Sequence, residues 1–88
     1  MIQRWFRARS LAALGAALKG ARESTGLSQS ELAAEIDSSR PTLSRLERGI
    51  PVTTEVLTRA LARAGYEIYL VPRTARVRVH LDEDLDDH

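Results

Sequence analysis

Arg40, Arg45 and Arg48, with Thr42 and Ser44 between them, are the residues of this chain best suited to chemistry. Guanidinium groups present a planar fork of donors that fits phosphate oxygens and the O6/N7 edge of guanine. Hydroxyls at neighbouring helical positions add short-range donors and acceptors. No acidic residue occurs from Arg40 to Leu46, so nothing in that run opposes an approaching polyanion. The pattern suits a groove lined with phosphates. It is a binding chemistry and not a catalytic one. The only histidines are His80 and His88, there is no cysteine, and no glycine-rich phosphate loop is present. Asp84 and His88 lie in an acidic terminus with nothing to hold a geometry, which excludes a catalytic or metal role for them. No cofactor is expected.

The elements that must position these side chains are legible nearby. Ser28 and Glu31 have the spacing of a capping box, so a helix is predicted to begin there. Leu32, Ala33 and Ile36 share one face of it, and Asp37-Ser38-Ser39 forms a polar turn. Ser39 can cap a following helix, with Pro41 tolerated in its first turn. Leu43 and Leu46 face inward at i, i+3 spacing, and Gly49 stops the helix. Ala33 is small enough to allow the two helices to cross closely. Arg40, Thr42, Ser44, Arg45 and Arg48 are left on the outer side. Two helices joined by a tight polar turn have the form of a helix-turn-helix reader of DNA. An ordinary helical hairpin with a solvated basic face is the alternative. The agreement of caps, crossing residue, inward leucines and basic face favours the reader.

The remaining chain supplies the support. At 88 residues it makes one domain with a modest core, drawn mostly from Leu, Ala, Val and Ile because aromatic residues are only 5%. Ser10 can cap a first helix over about 11–25, stopped by Gly26, with Leu11, Leu14, Leu18 and Ala21 at helical spacing. That spacing, and the break of the apolar run at Lys19, favour a helix over a signal peptide following Arg4, Arg7 and Arg9. A fourth helix is predicted over about 54–64, with Val56, Leu57, Ala60, Leu61 and Ala64 inward, Arg59 and Arg63 outward, and Gly65 at its end. The period then changes. Tyr66, Ile68, Tyr69, Leu70 and Val71 belong to a β-rich run over 66–71. Pro72-Arg73-Thr74 can turn the chain, and Ala75, Val77, Val79 and Leu81 alternate with polar residues as a weaker second strand. Both faces of 66–71 are apolar or aromatic, so pairing with a second copy across a two-fold axis is expected. The alternative is a hairpin folded back on the chain's own helices.

The charge is divided along the chain. The formal net charge is +1, yet Asp82, Glu83, Asp84, Asp86 and Asp87 crowd the last seven residues. Without them 13 basic residues face seven acidic ones, a formal charge of +6. A basic body suits nucleic acid. The tail is expected to be disordered and solvated. Lack of cysteine and of any apolar run near the roughly 20 residues of a membrane span fits a cytoplasmic location without a membrane partner. The organisation is therefore read as a basic arm (1–9), a helix-turn-helix domain (10–65), a dimerisation segment (66–81) and an acidic tail (82–88). In the arm, Trp5 and Phe6 are candidates to cover the first helix or a partner. Arg4, Arg7 and Arg9 form either a solvated end or a minor-groove arm.

Residues from about 14 to 49 resemble the Cro/C1-type, or xenobiotic-response-element-type, helix-turn-helix family. The motif is Arg22, Gly26-Leu-Ser-Gln-Ser-Glu-Leu-Ala33 and Ser39-Arg-Pro-Thr-Leu-Ser-Arg-Leu-Glu-Arg-Gly49. The resemblance implies a mainly α, lambda-repressor-like four-helix domain. It also implies that Ser39, Arg40, Pro41, Ser44 and Arg45 face the major groove, and that Gln29 holds a phosphate. Thr42 and Arg48, on the outer face, are the other expected phosphate contacts. Arg22 and Glu47 correspond to an internal ion pair between the first and third helices. Two positions depart from the pattern: Asp37 replaces a frequent turn glycine, and Pro41 replaces a frequent polar reader. Proline cannot donate there, which leaves direct reading to Arg40 and Arg45. The layout of arm, four helices, connector and following strand is similar to that of HipB-type antitoxins. That likeness implies a homodimer on a palindromic operator of double-stranded DNA, repression of its own operon, and neutralisation of a HipA-like serine/threonine kinase toxin. A stand-alone repressor without a toxin partner is the other reading.

Overall fold

A computed structural model describes residues 5–80. Four helices occur in order: α1 (Leu11–Thr25), α2 (Gln29–Glu35), α3 (Arg40–Glu47) and α4 (Thr54–Arg63). Each begins at a hydroxyl that accepts a hydrogen bond from a backbone N–H of the first turn: Ser10, Ser28, Ser39 and Thr53. These side chains satisfy donors that a helix start otherwise leaves open. Around α2 the cap is reciprocal, since the Ser28 N–H also donates to Glu31 Oε1 at 2.8 Å. That bond, together with the Ser28 hydroxyl, holds the Glu31 carboxyl below its usual range.

Leu18, Leu32 and Leu43, one each from α1, α2 and α3, are the largest side chains wholly removed from solvent. Ala60, Leu61 and Ala64 bring α4 onto the same core. Burial of each leucine contributes about 1.5–3 kcal/mol relative to exposure. The turn between α2 and α3 depends on Asp37, the only non-glycine residue with positive φ (55°) among those described. Asp tolerates this left-handed conformation, so the replacement of glycine leaves the turn intact. Ser38 N–H donates to Ala33 O at 2.8 Å and closes it.

One contact was not foreseen from the sequence. α1 crosses the C-terminal end of α3 at Gly15, where a Cβ would lie 2.3 Å from Leu46 O and 2.7 Å from Glu47 O. Only a residue without a side chain permits this approach. Nearby, a Cβ on Gly49 would meet Ala12 Cα at 2.7 Å. By contrast Leu11, at helical spacing with Leu14, Leu18 and Ala21, is 54% exposed, because it begins α1 beyond the edge of the core.

The expected strands do not form among the described residues. No strand occurs among the described residues, and 66–71 and 75–80 make no ladder with one another. The turn between them exists, with Ala75 N–H donating to Pro72 O at 2.9 Å, but it is not continued by paired backbone. A strand is defined by its partner, and among the described residues the backbone of 67–71 has none; the hairpin alternative is thereby corrected as well. Phe6 and Tyr66 instead pack ring against ring at 5.7 Å, tying the N-terminal arm to the start of the segment. Arg4, Leu81 and the expected tail over 82–88 lie outside the described residues.

Candidate nucleic-acid interface

The geometry of α3 is set by a buried polar clamp on its inner side. Arg22 of α1 donates from Nε to Glu47 Oε2 at 2.6 Å and from a terminal nitrogen to Glu47 Oε1 at 3.0 Å. Its other terminal nitrogen donates to Leu27 O at 2.8 Å, just before α2. Gln29, in the first turn of α2, donates from Nε2 to Glu47 Oε1 at 3.0 Å. One carboxylate thus gathers α1, α2 and α3, and the glycine crossing at Gly15 allows the backbones to come close enough. The Arg22 and Glu47 side chains are only 10% and 3% exposed. The hydrogen bonds to Glu47 raise the Arg22 pKa further, against the opposing effect of burial. Among the described residues no buried side-chain nitrogen or oxygen lacks a partner, so the clamp is fully satisfied.

With Glu47 turned inward, the outward side of α3 is left basic. Arg40, Pro41 and Arg45 are exposed, and neither arginine has an ion-pair or hydrogen-bond partner among the described residues. Ser44 is half-buried. The remaining residues read from the sequence are more constrained. Ser39 and Thr42 hydroxyls lie 2.9 Å apart, and Ser39 Oγ also caps the Thr42 N–H. Both hydroxyls are therefore engaged in holding the helix start. Arg48 Nε donates to Ser44 O at 3.3 Å, which orients the guanidinium along α3 while its terminal nitrogens stay free. Gln29 uses Nε2 towards Glu47; an amide nitrogen has two hydrogens, so a second donor remains.

Sequence reasoning overlooked two tethers behind this face. Arg63 of α4 pairs with Glu35 of α2, which raises the Arg63 pKa, and Arg59 donates to Ile36 O at 3.5 Å. Both arginines lie on the outward side of α4, as the helical period required; Arg59 also pairs with Glu55 one turn earlier at 3.4 Å, but the contacts with Glu35 and Ile36 reach a different helix. Periodicity within α4 identifies the Glu55 pair but not the contacts with Glu35 and Ile36. The segment that carries Tyr66, Ile68, Tyr69, Leu70 and Val71 lies outside this cluster. No groups of His, Asp or Glu suited to a metal occur among the described residues.

Residues 13–77 match the family model described as a helix-turn-helix domain. The chain belongs to that family. The domain is of a kind related to the Cro/C1 type, and it implies DNA binding and a role in transcriptional regulation. Domains of this family are typically non-enzymatic. The match extends past α4 through residue 77, so the segment after the helices is part of the family's module. No curated protein matches the chain. Among the described residues no helix is long and apolar enough to cross a membrane.

Proposed function

We propose that this protein is a sequence-specific transcriptional repressor that inserts α3 into the major groove as a homodimer on a palindromic site. The observation that carries this reading is the pair of exposed arginines, Arg40 and Arg45, on a helix whose only carboxylate is buried in the Arg22 clamp. In this reading Arg40 and Arg45 read base edges. Ser39, Pro41 and Ser44 shape the contact, and Gln29, Thr42 and Arg48 hold phosphates. Arg22 and Glu47 act only by positioning. The dimer is supported by the backbone of residues 67–71, whose N–H and C=O groups make no hydrogen bond among the described residues. It is supported too by Leu70 and Tyr69, which are 94% and 77% exposed. Pairing of 66–71 with a second copy would cover both, and would set two reading helices roughly 34 Å apart, one turn of DNA.

The test is selection of bound duplexes from a random library, repeated with Arg45→Ala. A palindromic consensus is expected, and the variant should lose about 1–3 kcal/mol of discrimination at one base pair. An equal loss on every sequence would instead assign Arg45 to phosphate, and absence of any consensus would reject specific reading.

A narrower reading is that the repressor is also an antitoxin, which binds a HipA-like serine/threonine kinase toxin and represses the operon encoding both. Its support is the layout of arm, four helices and C-terminal segment, together with the exposed apolar surface over 68–71. Purification of the tagged protein from its native lysate tests it. A stoichiometric kinase partner favours the antitoxin, whereas recovery of operator DNA alone favours a stand-alone repressor.

A further inference from the structure

One concavity of the described chain lies away from α3. It is an open cleft of about 810 Å³ between the N-terminal arm and the segment after α4. Arg7 and Arg9 line one side, Arg73 and Arg78 the other, and Glu67 is the only carboxylate on its walls. All four arginines are exposed, and none has a hydrogen-bond or ion-pair partner among the described residues. Between these charges much of the lining is apolar, and outside the 66–71 segment it includes Trp5 and Val79, 51% and 45% exposed. A cleft that combines unpaired guanidinium groups with exposed apolar side chains fits an acidic peptide carrying an apolar anchor.

The chain itself contains such a peptide. The described residues end at His80, which lines the cleft. The next eight residues, Leu81-Asp-Glu-Asp-Leu-Asp-Asp-His88, hold five carboxylates and two leucines. Fully extended they reach at most about 26–29 Å, and they follow directly on His80, which lines the cleft. Tethering at the wall also makes the encounter intramolecular, with a high effective concentration. We propose that residues 81–88 dock into this cleft of their own chain, with the carboxylates on Arg7, Arg9, Arg73 and Arg78 and Leu85 among the apolar side chains. The tail thereby neutralises a basic surface separate from α3, and keeps the arm and the C-terminal segment together. This does not depend on the reading of α3 as a base reader.

Trp5 is the only tryptophan of the chain and lines the cleft, so its emission reports occupancy. Emission and acrylamide quenching are compared between the full chain and a full-length variant with Asp82→Asn, Glu83→Gln, Asp84→Asn, Asp86→Asn and Asp87→Asn. Association states are matched by sedimentation. Docking predicts a red shift and increased quenching in the variant, and the same change in the native chain as salt is raised. A synthetic peptide of residues 81–88 should reverse the change in a chain ending at His80, with circular dichroism showing that the helices persist. Identical emission in the two full-length chains overturns the proposal. A response seen only where sedimentation shows dimer also overturns it, because the tail would then belong to a second copy. If neutralisation has no effect but duplex DNA shifts Trp5, the cleft is a nucleic-acid surface and not the tail's site.

Discussion

The helical body and the segment after it obey different rules. From α1 to α4 each helix carries its own cap, and each lends side chains to one buried cluster. From Glu67 to Val71 the backbone forms no hydrogen bond among the described residues, and Ile68, Tyr69, Leu70 and Val71 are all exposed. A helix satisfies its backbone internally, so it needs a partner only for its apolar stripe. An extended segment satisfies neither backbone nor side chains alone. The difference teaches that the helices satisfy their own backbone and share one core, whereas residues 67–71 leave both backbone and apolar side chains uncovered among the described residues.

The contrast can be broken most severely at the crossing of α1 and α3. Gly15→Val would drive a side chain into the Leu46 and Glu47 carbonyls. Overpacking costs about 3 kcal/mol or more where backbone must move, so loss of the cooperative thermal transition by circular dichroism is expected. A transition within a few degrees of the native one would show that α1 can slide, and that the close approach is not required.

Next in size is the clamp. Glu47→Ala leaves Arg22 with its guanidinium among buried groups and removes the acceptor of Gln29. A loss of about 3 kcal/mol is expected in urea unfolding, the scale for removing one partner of a buried pair. Operator affinity should fall even where the variant is folded, because α3 would lose its tether to both other helices. Unchanged affinity in the folded fraction would confine the clamp to stability.

The cap of α2 gives a smaller effect with a defined pH dependence. Glu31 has its carboxyl pKa lowered by the Ser28 N–H. A carboxyl depressed by folding stabilises above its unfolded value and ceases to do so as pH falls through the folded one. Glu31→Ala should therefore lower the melting temperature at pH 7, and the difference should shrink and vanish as the pH is taken well below the ordinary value of 4.5. A difference independent of pH would assign the effect to helix propensity instead.

The smallest effect on the fold of one chain is expected from Leu70→Ser. This side chain is 94% exposed, so the body should change by no more than about 0.5 kcal/mol. The same substitution should weaken self-association in sedimentation experiments if 66–71 is the pairing segment. A large loss of monomer stability would mean that the segment packs on its own helices after all, and would erase the distinction between the two regions.

Much of the body was legible in the sequence because helix ends are local. Ser10, Ser28 and Ser39 announce starts, Gly26, Gly49 and Gly65 announce ends, and pairs such as Leu14 and Leu18, Leu32 and Ile36, and Leu43 and Leu46 recur at the helical period. The left-handed turn at Asp37 was legible through resemblance to a family that often has a glycine there, together with the tolerance of Asp for that conformation. On α3, the spacing of Leu43 and Leu46 already implied that Arg40 and Arg45 point outward. What could not be read were relations between elements. Gly15 lies in an alanine-rich run that gives no hint of a neighbouring carbonyl, and Glu35 gives no hint of Arg63.

The sequence alone determined the number of helices, their limits and the basic outer face of α3, because caps, turns and helical period act over three or four residues. Tertiary structure alone decided which side chains remain free to bind. It engaged Gln29 with the Glu47 carboxylate, exposed Leu11, and left 66–71 without a ladder among the described residues. The physical reason is range. A capping bond or an apolar stripe is specified within one element, whereas a close backbone approach, a shared carboxylate or a strand partner exists only once separate elements are brought together.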